Sequence, residues 1–230
     1  MSHVSKPDGV PILCYVTDRQ TLSKDHELDA REALLHKIQD AAAAGVDWIQ
    51  IRERDLSGKE CAELTSAAIE RMARPSASKQ GTIRILVNDR VDVALSQGAG
   101  GVHLGGNSLP IVRARRLANS RIPSQDFLIG VSCHSAEAAT AAAKGGANYI
   151  FFGPVFATPS KAAYGVPQGL EGLSKVCHVV SLPVIAIGGI TLDNAASCVS
   201  AGASGIAAIR LFQDTQDLAS LVKKLRALKL

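Results

Sequence analysis

The stretch Gly145-Gly146-Ala147-Asn148-Tyr149-Ile150-Phe151-Phe152 decides the fold. An Ala-rich helical pattern ends at Lys144, a glycine able to adopt left-handed backbone turns the chain, and a continuous apolar run follows. A run without polar alternation suits a strand buried on both faces. The same four-residue turn recurs as Ala44-Gly45-Val46-Asp47, Gln97-Gly98-Ala99-Gly100 and Ala201-Gly202-Ala203-Ser204. Its second residues, at 45, 98, 146 and 202, are 53, 48 and 56 residues apart. Each turn is expected to close a helix and to open an even-numbered strand.

Working outward, strand patterns fall at Ile12–Thr17, Trp48–Arg52, Arg84–Asn88, Gly101–Leu104, Leu128–Ser132, Tyr149–Phe152, Val184–Ile187 and Gly205–Ile209. Helical patterns follow them at Arg31–Ala44, Ser57–Met72, Arg90–Gln97, Leu109–Asn119, Ser135–Lys144, Leu170–Val180, Asn194–Ala201 and Leu218–Leu228. Strict alternation implies βαβ units and a parallel sheet. The fourfold period favours closure into a single (β/α)8 TIM barrel over an open doubly wound sheet, which needs no such period. No linker divides the chain, and 75–80 reads as a polar loop. Residues 1–230 are therefore expected to form one α/β barrel domain, with residues 1–10 as a flexible tail.

Composition narrows the function classes. Apolar residues make up 47% of the chain, enough to offset the ordering entropy that keeps polar chains disordered. No segment approaches the ~20 apolar residues that span a bilayer. Residues Met1–Pro11 carry Lys6 and Asp8 without an apolar core, so no secretory signal is expected. The net charge of +4 is mild, and aromatic residues at 4% are too sparse for base-stacking platforms. The densest basic group, Arg113, Arg115 and Arg116, reads as a helix face rather than a nucleic-acid stripe. Neither nucleic acid nor membrane is expected as a partner. Five cysteines, none at CxxC spacing, point away from a disulfide framework or a zinc site and toward a reducing, cytoplasmic location.

Active sites of such barrels lie at the C-terminal ends of the strands. Those ends carry Thr17-Asp18, Arg52-Glu53-Arg54, Asn88-Asp89, His103 to Ser108, Ser132-Cys133-His134, Gly153-Pro154 with the following Thr158 to Lys161, Gly188-Gly189, and Arg210. Arg52, Arg54, Lys161 and Arg210 outweigh Glu53 and Asp89, which suits an anion. The glycines after strand seven let backbone N–H groups and a helix N-terminus approach a phosphate closely. The structural alternatives are an Arg52–Glu53 ion pair, a helix cap at Asp89, a hydrogen-bonded structural role for His103 and a loop role for His134.

The segments YVTD, QIRERD, VNDRVDVAL, GVHLG, IGVSCHS, FFGPVFATPSK and AIGGITLDNA come in one order from about Ile12 to Leu211. Together they resemble the thiamin phosphate synthase family. The resemblance implies a (β/α)8 transferase of thiamin biosynthesis. It would join hydroxymethylpyrimidine pyrophosphate to hydroxyethylthiazole phosphate, releasing thiamin phosphate and pyrophosphate. In that reaction the bond to pyrophosphate breaks first, and the thiazole nitrogen attacks the resulting pyrimidine methyl cation. By motif position the resemblance places Arg52, Lys161 and Ser132 in catalysis. It assigns Arg54 and Asn88 to pyrophosphate, Thr158 and Ser160 to phosphate oxygens, Gly189 to the thiazole phosphate and Gln50 to the pyrimidine. It implies Mg2+, with Asp89 as ligand.

Two positions depart from the family pattern. Ser108 stands where a second magnesium-binding Asp is usual, and Arg210 stands where a phosphate-binding serine is usual; an arginine there could still grip phosphate with both guanidinium arms. A related branch, the thiazole tautomerases, shares an IRER-like segment but has a histidine where this chain has Pro154. A thiazole phosphate isomerase and a non-catalytic regulator binding thiamin or thiazole phosphate are the alternatives. The sequence leaves a homo-oligomer open.

Overall fold

The computed structural model describes residues 9–22, 29–73, 83–121, 127–158 and 166–230. The strands are β1 (Ile12–Val16), β2 (Trp48–Ile51), β3 (Arg84–Asn88), β4 (Gly101–Leu104), β5 (Leu128–Cys133), β6 (Tyr149–Phe152), β7 (Val184–Ile187) and β8 (Gly205–Ala208). The helices are α1 (Ala30–Ala44), α2 (Gly58–Ala73), α3 (Val91–Ser96), α4 (Ile111–Arg121), α5 (Ala136–Lys144), α6 (Gly169–Val179), α7 (Leu192–Ser200), α8 (Arg210–Gln213) and α9 (Leu218–Arg226). The strands pair in parallel and in chain order, and β8 closes on β1 with Ile12 opposite Gly205. The fold is the expected (β/α)8 barrel.

Period-two alternation along the strands builds two apolar shells. Ile12, Cys14 and Val16 face inward with Trp48, Leu86, Leu128, Tyr149, Phe151 and Ile185, filling the barrel interior. Leu13 and Tyr15 face outward with Ile49, Ile51, Val87 and Ile150, against the helical ring. That is why the strands read as unbroken apolar runs.

All four turn glycines adopt left-handed backbone, with φ of 93° at Gly45, 68° at Gly98, 91° at Gly146 and 98° at Gly202. The turn also makes one recurring hydrogen bond. The fourth residue of each, Asp47, Gly100, Asn148 and Ser204, donates its N–H to a carbonyl near the start of the preceding strand: Leu13, Ile85, Ile129 and Val184 respectively. The bond is main-chain, so the side chain at that position is free to vary. Asp47 and Asn148 use theirs to accept from the N–H groups of Leu13 and Ile129 as well.

Two elements depart from the sequence pattern. Arg19–Thr21 forms a 3-10 turn after β1. The strand expected to reach Ile209 ends at Ala208, because Ile209 adopts helical dihedrals and starts the short α8. Phe212 and Gln213 of that helix are buried, and the Gln213 amide donates to the Asp18 carbonyl and accepts from the Tyr15 hydroxyl. Tertiary docking, not helix propensity, holds this single turn in place.

Candidate active site

At the end of β2 a buried carboxylate organises the rim. The Glu53 side chain is 1% exposed. It accepts from the Thr17 hydroxyl at 2.5 Å, from the Arg19 N–H at 3.0 Å and from the Arg19 guanidinium at 3.1 Å. The Thr17 hydroxyl in turn accepts from the Arg52 N–H at 3.0 Å, pinning the backbone that carries Arg52. Arg19 also grips Asp55 with both arms, and that contact lowers the Asp55 carboxyl to about 2. Glu53 therefore pairs with Arg19 and not with Arg52, which corrects the alternative of an Arg52–Glu53 ion pair. Nothing in the sequence spacing singles out Arg19, since the pairing depends on the 3-10 turn.

Among the described residues, Arg52 and Arg54 take part in no ion pair. Burial, and then the neighbouring Arg54 charge, lowers the Arg52 guanidinium from its ordinary value. The charges of Asp18, Glu53 and Asp89 offset this in part, and a bound anion would relieve the repulsion between the two cations.

At the end of β3, Asp89 has φ of 60°, the one positive value at a non-glycine among the described residues. Such backbone is disfavoured and holds only where the surroundings enforce it. Here the Asp89 N–H donates to the His103 carbonyl at 2.8 Å. The carboxylate then reaches across to the loop after β4. Its Oδ1 accepts from the Ser108 hydroxyl and the Gly105 N–H, and its Oδ2 accepts from the Asn88 amide at 2.8 Å. Asp89 is not the cap of α3; that position is Arg90, which makes no side-chain cap bond.

Asn88 links this carboxylate to the barrel interior. Its Oδ1 accepts from the Gln50 amide at 3.0 Å. Gln50 is buried, and its own Oε1 has no hydrogen-bond partner among the described residues, which leaves it for a ligand donor. Ser132, on β5, lies with its Oγ 2.9 Å from His103 Nε2. His103 is hydrogen-bonded at both ring nitrogens, and the His134 ring meets the Gly153 carbonyl instead.

The glycines after β7 are fitted to the loop after β6. Gly188 and Gly189 both have positive φ, and a Cβ on Gly189 would lie 2.6 Å from the Ala157 carbonyl oxygen. The Asn194 amide holds the Gly189 carbonyl at 2.9 Å, while Thr191 and Asn194 form a reciprocal cap on α7. Thr158 is described at the edge of this loop, whereas Ser160 and Lys161 lie outside the described residues. Arg210 is exposed at the first residue of α8.

Hydrogen bonds thus join Gln50, Asn88 and Asp89 at the ends of β2 and β3; Arg52 and Arg54 follow β2, Ser132 lies on β5, Gly189 follows β7 and Arg210 opens α8. Among the described residues no cluster of three His, Cys, Asp or Glu side chains is present. One carboxylate with neutral oxygens beside it suits a hard cation that keeps water and phosphate in its shell. Glycine turns after strand seven and a short helix after strand eight define the class of barrels that handle phosphate at the C-terminal rim.

Comparison with known proteins sharpens that class. Residues 13–212 match the family model described as thiamine monophosphate synthase, and the chain belongs to that family. It is 44% identical over 186 residues to a thiamine-phosphate synthase of Methanoculleus marisnigri, covering 81% of this chain and 83% of the relative. It is 37% identical over 191 residues to one of Chloroflexus aurantiacus, covering 83% of each. A thiamine phosphate pyrophosphorylase from Pyrococcus furiosus superposes with a TM-score of 0.76 at 32% identity over 94% of both chains. No helix among the described residues is long and apolar enough to cross a membrane.

Proposed function

We propose that the protein is a cytoplasmic transferase that joins hydroxymethylpyrimidine pyrophosphate to hydroxyethylthiazole phosphate, releasing thiamin phosphate and pyrophosphate. The observation that carries the reading is the half-buried Arg52, which has the charge of Arg54 beside it and takes part in no ion pair among the described residues, in a chain of this family whose Asn88 and Asp89 are joined at the end of β3. The reaction needs little proton transfer. It needs charge stabilisation on a departing pyrophosphate and close placement of the nucleophile. Arg52 and Arg54 supply the charge, and Thr17 and Glu53 hold Arg52 in place. Gln50 offers its free carbonyl oxygen to the pyrimidine. Gly189, Thr158, Ser160 and Arg210 hold the thiazole phosphate, and Lys161 adds charge to the pyrophosphate from the loop after β6.

Asp89, with Asn88 and Ser108 beside it, would hold Mg2+. When bound, the ion would supply positive charge to offset that of the phosphates. The substrates are small molecules, and the reading involves neither nucleic acid nor membrane. The test is direct. Purified protein is given both substrates and magnesium, and thiamin phosphate is measured; its absence overturns the proposal. Conversion of a thiazole phosphate isomer in the same preparation would assign the isomerase activity instead.

A further inference from the structure

A hydrogen-bonded chain runs up the inside of the barrel. The Tyr149 hydroxyl lies 3.1 Å from His103 Nδ1, and His103 Nε2 lies 2.9 Å from Ser132 Oγ. The direction of these bonds follows from the phenol. Tyr149 is fully buried, with its ring 4.6 Å from that of Trp48 and 5.4 Å from that of Phe151. Its seat exists because residue 130 is glycine: a Cβ there would lie 2.0 Å from the Tyr149 ring. Burial raises the phenol well above its ordinary range, so it stays protonated.

A hydroxyl has one hydrogen and two lone pairs. Leaving the buried hydrogen without an acceptor costs more than leaving a lone pair unused. Among the described residues the hydroxyl's one hydrogen-bond partner is His103 Nδ1, so that nitrogen must accept. That nitrogen therefore carries no hydrogen, which excludes both the Nδ1–H tautomer and the imidazolium. The ring hydrogen sits on Nε2 and is donated to Ser132 Oγ, leaving the serine's own hydrogen for the barrel mouth.

We propose that Tyr149 and His103 are positioning residues that fix Ser132 as a hydrogen-bond donor to its ligand. On the functional reading above, the acceptor is an anionic oxygen of the leaving pyrophosphate. Such an oxygen gains charge as the bond breaks, so a donor aimed at it works in the transition state.

The experiment is an imidazole nitrogen NMR spectrum of the full chain labelled with nitrogen-15 histidine, with the His103 signals assigned by their loss in His103→Gln. The expected wild-type ring is neutral and protonated at Nε2. Tyr149→Phe keeps the shape, removes the phenol hydrogen and should give a mixture of tautomers. Turnover in Tyr149→Phe should fall about threefold to tenfold, with KM for both substrates within about twofold. His103→Gln, which can place an amide N–H near Nε2, should retain on the order of tenfold more turnover than His103→Leu. A wild-type Nδ1–H ring, an imidazolium, or a tautomer unmoved by Tyr149→Phe overturns the proposal. If the wild type forms no thiamin phosphate, the functional reading fails, while the spectrum still decides the direction of the chain.

Discussion

The Ser108 hydroxyl donates to the carboxylate of Asp89, across the gap between the β3 and β4 loops. The resemblance puts a second carboxylate at the position of Ser108, and the structure puts Ser108 directly against the remaining one. The site has thus exchanged a negative charge for a neutral donor. Ser108→Asp is expected to lower the magnesium concentration needed for half-maximal rate by about tenfold, since a second carboxylate adds a full charge to a dication's shell. Magnesium titrations of both forms check this. An unchanged requirement would place Ser108 away from the metal.

Glu53→Gln should disturb the site from beneath. The carboxylate holds Thr17 and Arg19, and Thr17 holds the Arg52 backbone. An amide keeps the shape but loses the charge, so stability should fall by about 1–3 kcal/mol. The rate at low substrate should fall about tenfold as Arg52 loses its fixed position. Asp55→Asn, which leaves Glu53 untouched, should leave the rate within about twofold. Denaturant unfolding and initial-rate assays separate the two variants.

Gly189→Ala should weaken binding of the thiazole phosphate more than that of the pyrimidine pyrophosphate. Alanine at φ of 67° is strained, and its Cβ would crowd the Ala157 carbonyl and the Phe156 side chain. A stability loss of about 1–3 kcal/mol is expected. KM measured for each substrate in turn shows which half of the site is affected; an equal rise in both would count against a thiazole phosphate site at Gly189.

Lys161→Ala should lower turnover by about 100-fold or more, the scale of one lost charge contact in a transition state. Stability should change by less than about 0.5 kcal/mol, as expected of a lysine in a segment rich in Pro and Gly. Turnover and thermal unfolding of the same preparation check the two halves of this expectation, and a variant as active as the wild type would remove Lys161 from the mechanism.

Much of the fold was legible because its signals are local. Left-handed turns require glycine at Gly45, Gly98, Gly146 and Gly202, and double burial writes apolar runs into every strand. Motifs mark candidate site residues, and of these Gln50, Asn88 and Asp89 are hydrogen-bonded neighbours at the ends of β2 and β3. Partners set by tertiary geometry were not legible. Arg19 reaches Glu53 only because a 3-10 turn swings it back, and Gln213 reaches Tyr15 only after the chain has closed. The positive φ of Asp89 is likewise invisible in the sequence, since no glycine marks it. His103 reads as structural because its ring is hydrogen-bonded at both nitrogens, yet one of those bonds ends on Ser132.

The recurring bond from the fourth residue of each glycine turn stays within one quarter of the barrel: Asp47 to Leu13, Gly100 to Ile85, Asn148 to Ile129, Ser204 to Val184. A polypeptide cut between quarters therefore loses none of the four. Fragments 1–121 and 127–230, produced separately and mixed, each keep two such closures intact. Between them the β4–β5 and β8–β1 seams remain to be made, where Gly101 meets Leu128 and Gly205 meets Ile12, together with side-chain contacts such as Tyr15 to Gln213, Asp47 to Arg226 and Arg115 to Asn148. The barrel can thus be treated as two half-shells, and the mixed fragments are expected to recover their shared mouth by association, which their co-elution would check.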